Sequence, residues 1–178
     1  MNMPRKQLFP WVATAITILM LLASCTDDDA KPGSTLFNLR MTDAPMAQVQ
    51  QVNIDLQTII VTTDSTRDST VLGTNAGIYN LLDYQGDLDT LIGSAIIQAF
   101  TVDQIRLVLG DNNSVMVDSV LYDLKTPSAQ QSGLKINLHA DISTVDVYNV
   151  LIDFDAEKSV VEQGNGGYLL KPVIKVVK

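Results

Sequence analysis

The chain alternates. In Val52-Asn53-Ile54-Asp55-Leu56-Gln57 every second residue is apolar, and Leu134-Lys135-Ile136-Asn137-Leu138-His139 repeats the pattern. Ile105-Arg106-Leu107 does so again, before the wholly apolar Val108-Leu109. A period of two sends successive side chains to opposite faces of an extended strand, so each run can bury one face and wet the other. Further strand candidates are Leu36 to Met41, Val115 to Val117, Val120 to Leu124, Tyr148 to Phe154 and Tyr168 to Val177, all rich in the residues that suit a pleated surface.

Turn chemistry separates these runs. Gly110-Asp111-Asn112-Asn113-Ser114 reads as a hairpin loop, Thr63 to Thr70 as a polar loop or hairpin tip, and Gly164-Asn165-Gly166-Gly167 as the turn into the last strand. Helical period is scarce. It predicts one short helix in Leu88 to Ala99 and one turn near Ala156 to Gln163, which Asp155 would cap. Pro172 predicts an edge position or an irregularity in the last run. Many short strands with regular turns predict a mainly β fold: one antiparallel sandwich, with at most two short helices.

The front of the chain has a different grammar. Arg5 and Lys6 precede an uncharged stretch whose apolar centre runs from Trp11 to Leu22. That length suits a signal-peptide core and falls short of the ~20 residues that span a bilayer. Leu22-Ala23-Ser24-Cys25 follows and resembles a bacterial lipobox, in which the cysteine sulfur takes a diacylglyceryl group and the signal is cut just before it. Each buried CH₂ of an acyl chain is worth roughly 0.8 kcal/mol, and stable anchoring needs about two chains, which this group supplies. The alternatives are an uncleaved anchor, or a free thiol beside a later cleavage site. Cys25 is the only cysteine in 178 residues, so no intrachain disulfide can form.

Asp27, Asp28 and Asp29 come next. They resemble an acidic tag that sends lipoproteins to the outer surface in one Gram-negative phylum. A solvated acidic tether over residues 25–34 is the plainer reading, and the two are compatible. The expected organisation is a signal at 1–24, a flexible acidic tether at 25–34 and a β-sandwich domain at 35–178. The expected location is the outer membrane, lipid-anchored and facing the cell exterior, with a periplasm-facing anchor as the alternative.

Without residues 1–24 the chain keeps ten basic residues against 20 acidic, a net charge of −10. That balance argues against nucleic acid as a partner, because no basic patch neutralises phosphates, and against direct docking on anionic lipid.

Several phrases in order carry a family resemblance: Met41-Thr42-Asp43-Ala44-Pro45, Gln104-Ile105-Arg106-Leu107, Leu124-Lys125-Thr126-Pro127-Ser128, Gln131-Ser132-Gly133-Leu134-Lys135, Asp153-Phe154-Asp155-Ala156-Glu157-Lys158-Ser159, and Tyr168-Leu169-Leu170-Lys171-Pro172-Val173-Ile174. Together they resemble the bacterial and archaeal lipoprotein domain known as domain of unknown function 4382, over residues 35–178. The resemblance implies a prealbumin-like or immunoglobulin-like β-sandwich and brings no established activity. One departure is Phe100-Thr101-Val102-Asp103, where the family often has Gly-x-Tyr.

Among chemical candidates, Asp153 and Asp155 would share one strand face roughly 7 Å apart. With Asp43 they form a candidate calcium set, since calcium takes six to eight oxygens. The structural alternatives are a turn former (Asp43), a helix cap (Asp155) and an ion pair from Asp153 to Arg106 or Lys158. A hydrolase on these carboxylates would need a cleft with opposed groups. Arg106 reads as an ion-pair hub toward Asp153 or Asp55. His139 reads as solvent-exposed, and Thr126 and Ser128 as turn residues lacking an activating base. Asp111-Asn112-Asn113 lacks calcium-loop spacing and reads as a turn. Asp64-Ser65-Thr66, Asp68-Ser69-Thr70 and Asp118-Ser119-Val120 resemble a short O-glycan acceptor pattern. Tyr79, Tyr84, Tyr122, Tyr148 and Tyr168 would form a sugar platform only if several share an exposed face.

The functional expectation is a non-enzymatic binding module with no obligatory cofactor, held to the membrane by its lipid and serving glycan, envelope or adhesion partners. The alternatives are a structural envelope lipoprotein, a calcium-binding domain and a carboxylate hydrolase.

Overall fold

In the computed structural model the described residues are 32–44, 49–64, 69–127 and 132–177. The strands, in chain order, are β1 Ser34–Thr42, β2 Gln51–Thr63, β3 Ser69–Val71, β4 Gly73–Thr74, β5 Gly77–Asn80, β6 Thr90–Gln98, β7 Thr101–Leu109, β8 Ser114–Val117, β9 Val120–Lys125, β10 Leu134–Asp141, β11 Val147–Phe154, β12 Val160–Glu162, β13 Tyr168–Leu170 and β14 Ile174–Val176. A 3₁₀ turn covers Leu81–Tyr84, and the single helix among the described residues, α1, covers Ala156–Ser159. No helix among the described residues is long and apolar enough to cross a membrane.

The strands form two sheets with the apolar core between them, a sandwich. A five-stranded sheet runs β14-β11-β1-β6-β4. A nine-stranded sheet runs β10-β7-β2-β8-β9-β13-β12, with β3 and β5 also on β2. Alternation does the sorting: Phe37, Leu39 and Met41 of β1 meet Val52, Ile54 and Leu56 of β2 in one buried cluster. Further along β2 the buried positions become Ile59 and Val61. This change of parity falls at a register shift between Leu56 and Thr58, as an extra residue in a ladder requires.

Three expectations change. The sandwich is mixed rather than purely antiparallel, because β1 pairs β11 in parallel and β13 pairs β9 in parallel. The short helix expected in Leu88 to Ala99 is instead strand β6, paired with β1 from Ser34↔Gln98 to Met41↔Thr90. Leu88, Leu91, Ile92, Ala95, Ile96 and Ala99 happen to fall at helical spacing, but a full-length antiparallel ladder outweighs that pattern. Third, Gly110 to Ser114 joins no hairpin. Both β7 and β8 pair with β2, Leu109 opposite Leu56 and Ser114 opposite Asn53, so residues 110–113 arch out of a ladder that resumes beyond them.

Other turns hold as read. The pair β2–β3 is a hairpin, and Gly166 (φ 79°) supplies the left-handed residue of the β12–β13 turn. Asp118 and Ser119, both at positive φ, turn β8 into β9. The last run breaks at Lys171-Pro172-Val173 into β13, in one sheet, and β14, at the edge of the other. Ser159 Oγ accepts the Val173 N–H at 2.9 Å across that break. At the departure Phe100-Thr101, the chain passes from one sheet to the other, and the Asp64 carboxylate accepts both backbone N–H groups.

Candidate functional site

The arch at residues 110–113 forms one wall of an open cleft of about 620 Å³. The lining is Asp111, Asn112, Asn113 and Ser114 on that wall, with Leu121, Asp123, Leu124, Lys125 and Thr126 from β9 and the residue after it. Amides, hydroxyls, two carboxylates and one ammonium therefore face a space large enough for a small polar ligand.

A buried carboxylate fixes this wall. Asp55 lies on β2 and is 3% exposed, although alternation places it on the polar side of its strand. The arch covers it. Asp55 Oδ2 accepts from Asn112 N–H at 3.2 Å and from Asn112 Nδ2 at 2.9 Å, and Oδ1 accepts from Gln57 Nε2. The Asp55 backbone is also served across the gap in the ladder. Its carbonyl accepts from Gly110 N–H at 2.7 Å, and its own N–H donates to Asn113 Oδ1 at 2.9 Å. The Asn113 side chain thus stands in for a missing strand residue, and its Nδ2 closes the arch by donating to Gly110 O at 2.7 Å. Gly110 has no substitute here, because a Cβ would lie 2.3 Å from Asp55 Oδ2. Sequence reading passed over this knot. The available signal was an Asp in the strand opposite a Gly-Asp-Asn-Asn run.

The expected acidic set does come together, at the far ends of β1 and β11. Thr42 pairs with Asp153, which brings Asp43 beside that strand end. Asp43, Asp153 and Asp155 are all buried. Their oxygens, however, are largely taken by protein donors. Asp43 Oδ1 accepts from Ala156 N–H at 2.8 Å and Oδ2 from Gln85 Nε2 at 3.2 Å. Asp155 caps α1 by accepting Lys158 N–H at 3.0 Å, and it also pairs with the Lys158 ammonium. Asp153 pairs with Lys175 at 2.9 Å through Oδ2, while its Oδ1 is buried without a hydrogen-bond partner. No group of three such side chains among the described residues is arranged to hold a metal ion.

Burial pushes the Asp43 carboxyl above its ordinary value; the Ala156 N–H and the Gln85 amide work against this, and the charges of Asp153 and Asp155 add to it. Burial also works to raise Asp155. There the Lys158 side chain and backbone N–H outweigh it and hold that carboxyl below its ordinary value.

The ion pairs expected for Arg106 are not formed. Asp153 lies in the other sheet and takes Lys175, and Asp55 is held by Gln57 and Asn112. The Arg106 Nε is buried with no partner, and its aliphatic stem lies against Gly133. His139 is exposed at a bulge of β10, with φ 51° and Nδ1 3.9 Å from Asp103 Oδ1. The five tyrosines are all half-buried. Tyr148 stacks on Phe37 with centroids 6.0 Å apart, and Tyr122 tilts on Tyr168 at 5.1 Å. Tyr79, Tyr122, Tyr148 and Tyr168 pack against the core, so these rings form no exposed sugar platform. Thr126 lines the cleft, while Ser128 lies outside the described residues. So do Leu22, Ala23, Ser24, Cys25, Asp27, Asp28 and Asp29, and Ser65, Thr66 and Asp68 of the glycan-acceptor phrases. Ser119 is exposed at its turn.

Residues 34–172 match a family model described as a domain of unknown function (DUF4382). No curated protein and no solved structure matches the chain.

Proposed function

The chain belongs to the DUF4382 family, and from that premise we propose that it is a lipid-anchored, non-catalytic binding module of the outer membrane, displayed toward the cell exterior, whose ligand contacts lie in the cleft beside the 110–113 arch. Membership supplies a fold and no activity, so the reading rests on the site. The observation that carries it is the cleft lining: Asp111, Asn112, Ser114, Asp123, Lys125 and Thr126 offer both donors and acceptors, and a buried Asp55 holds the arch wall that carries Asp111 and Asn112. Donors and acceptors fixed in advance suit a hydroxyl-rich ligand such as an envelope glycan, bound through hydrogen bonds. Stacking contributes little, because Tyr79, Tyr122, Tyr148 and Tyr168 are engaged with the core. The anchor part of the reading is supported by Leu22-Ala23-Ser24-Cys25.

A glycan array probed with the domain tests the ligand class. The expected result is binding to one group of glycans that Asp123→Ala with Lys125→Ala weakens at least tenfold, at an unchanged melting temperature. Both residues are exposed, so the fold does not depend on them. Binding to no glycan, or binding indifferent to the double substitution, removes the cleft reading. Mass spectrometry of the Cys25 peptide, with Cys25→Ala releasing the protein from membranes, tests the anchor separately.

A further inference from the structure

We propose that the outer face of the five-stranded sheet rests on the lipid surface to which the chain is tethered. The inference depends on the anchor at Cys25 proposed above and adds the orientation of the domain.

Three apolar side chains line up across neighbouring strands on that face. Val147 pairs with Leu36, and Leu36 pairs with Ile96. They are 49%, 39% and 69% exposed. Strands lie about 4.8 Å apart, so the three make one continuous row about 10 Å wide rather than scattered surface residues. The next row along is polar and uncharged. Asn38 Nδ2 donates to Asn149 Oδ1 at 3.0 Å, and Ser94 Oγ donates to Asn38 Oδ1 at 2.8 Å. The first charge on the outward side of β1 is Arg40, already paired with Asp89. A chain with 20 acidic residues against 12 basic thus presents one sheet face whose central strands carry no free charge. An acidic body meeting an anionic lipid surface approaches most easily through such a face. Asp146, exposed just before Val147, sits at the rim, where a lipid interface leaves it hydrated.

The chain outside the described residues selects the occupant. The row begins two residues into β1, which starts at Ser34. Nine peptide steps separate Ser34 from Cys25, a reach of about 30 Å when fully extended. Lipid at Cys25 keeps the bilayer within that distance of Ser34, two residues before the row. A tether this short gives an effective concentration on the order of millimolar, so a docking affinity of that order is sufficient. The row is small, and a small row is enough. Docked in this way, the nine-stranded sheet and its cleft face away from the membrane.

The test uses the lipidated protein on vesicles of phosphatidylethanolamine and phosphatidylglycerol that contain brominated acyl chains. A fluorophore is attached through Ile96→Cys or Val147→Cys, with Ile78→Cys as the reference, since Ile78 is 61% exposed on the nine-stranded sheet. With Cys25 acylated, the new thiol is the one labelled. Quenching at 96 and 147 at least threefold that at 78 is expected, falling to the reference level when Leu36→Asp is added at an unchanged melting temperature. Equal quenching at all three sites, in protein that floats with the vesicles, overturns the docking while leaving the anchor intact. Protein that stays at the bottom of the gradient with an unmodified Cys25 peptide removes the anchor, and the docking with it. A dimer that forms with rising concentration and is lost on Ile96→Asp, without preferential quenching, gives the face to a second copy and also overturns the proposal.

Discussion

Two buried acidic sites in this protein are stabilised in opposite ways. At the ends of β1 and β11, Asp153 and Asp155 each meet a lysine whose ammonium reaches water, Lys175 and Lys158. On β2, Asp55 meets no cation among the described residues. Its side chain is held by neutral donors, Gln57 and Asn112, and its backbone by Gly110 and Asn113. The first arrangement pins strand ends, and its lysines are two-thirds exposed, where water screens a lost charge. The second determines the path of a loop. Each of its donors is positioned by the acceptor it serves, so losing one member frees several. The difference teaches that a carboxylate held by neutral, directed donors shapes a surface more strictly than one held by a mobile cation.

Asp55→Ala tests the comparison most severely. It strands the Asn112 and Gln57 donors, and the expected loss is about 3 kcal/mol in chemical denaturation, with ligand binding in the cleft lost as well. Gly110→Ala drives a methyl into the Asp55 carboxylate and is expected to cost about 2 kcal/mol, as overpacked sites do. Lys175→Ala leaves Asp153 unpaired but opens it to water, and about 1 kcal/mol is expected, with the cleft unaffected. Losses of equal size for Asp55→Ala and Lys175→Ala would break the comparison.

The smallest expected effect is a pH dependence. The folded protein holds a proton on Asp43 more tightly than the unfolded chain does. The stability this gives is complete below the ordinary carboxylate pKa and is lost as pH rises through the raised one. Asp155 works the other way: its contribution is present above the ordinary value and lost as pH falls through the lowered one. Asp43→Asn keeps an acceptor for the Ala156 N–H and should flatten the decline on the alkaline side only. Urea midpoints measured from pH 3 to pH 8 on the wild type and this variant check the sign. A decline unchanged in Asp43→Asn assigns it to another group.

Most of the sandwich was legible because alternation is local, and a strand that buries one face announces its period. The runs at Val52, Ile105, Leu134 and Tyr148 became β2, β7, β10 and β11. What escaped depended on partners distant in sequence. Leu88 to Ala99 has helical spacing, and only the ladder with β1 makes it a strand. Asp55 looks solvent-facing until an arch 55 residues later covers it. The acidic set was half legible: the helix cap expected at Asp155 is present, while the strand face expected to carry both Asp153 and Asp155 is cut short because β11 ends at Phe154. The cleft is lined by residues 111–126 alone, and the Leu124 N–H donates to Asn113 O across it, but the arch that shapes one wall follows from the distant Asp55.

The parallel pairing of β1 with β11 sets an order of events. Asn38 finds Asn149, 111 positions further on, and β1 has β6 on its other side. In a chain that emerges N-terminus first, the opening strand is zipped along one edge only until the final third has followed it. Its second row of backbone N–H and C=O groups then stays open to wrong partners until β11 has been made, which makes the first of the described strands one of the last to be safe.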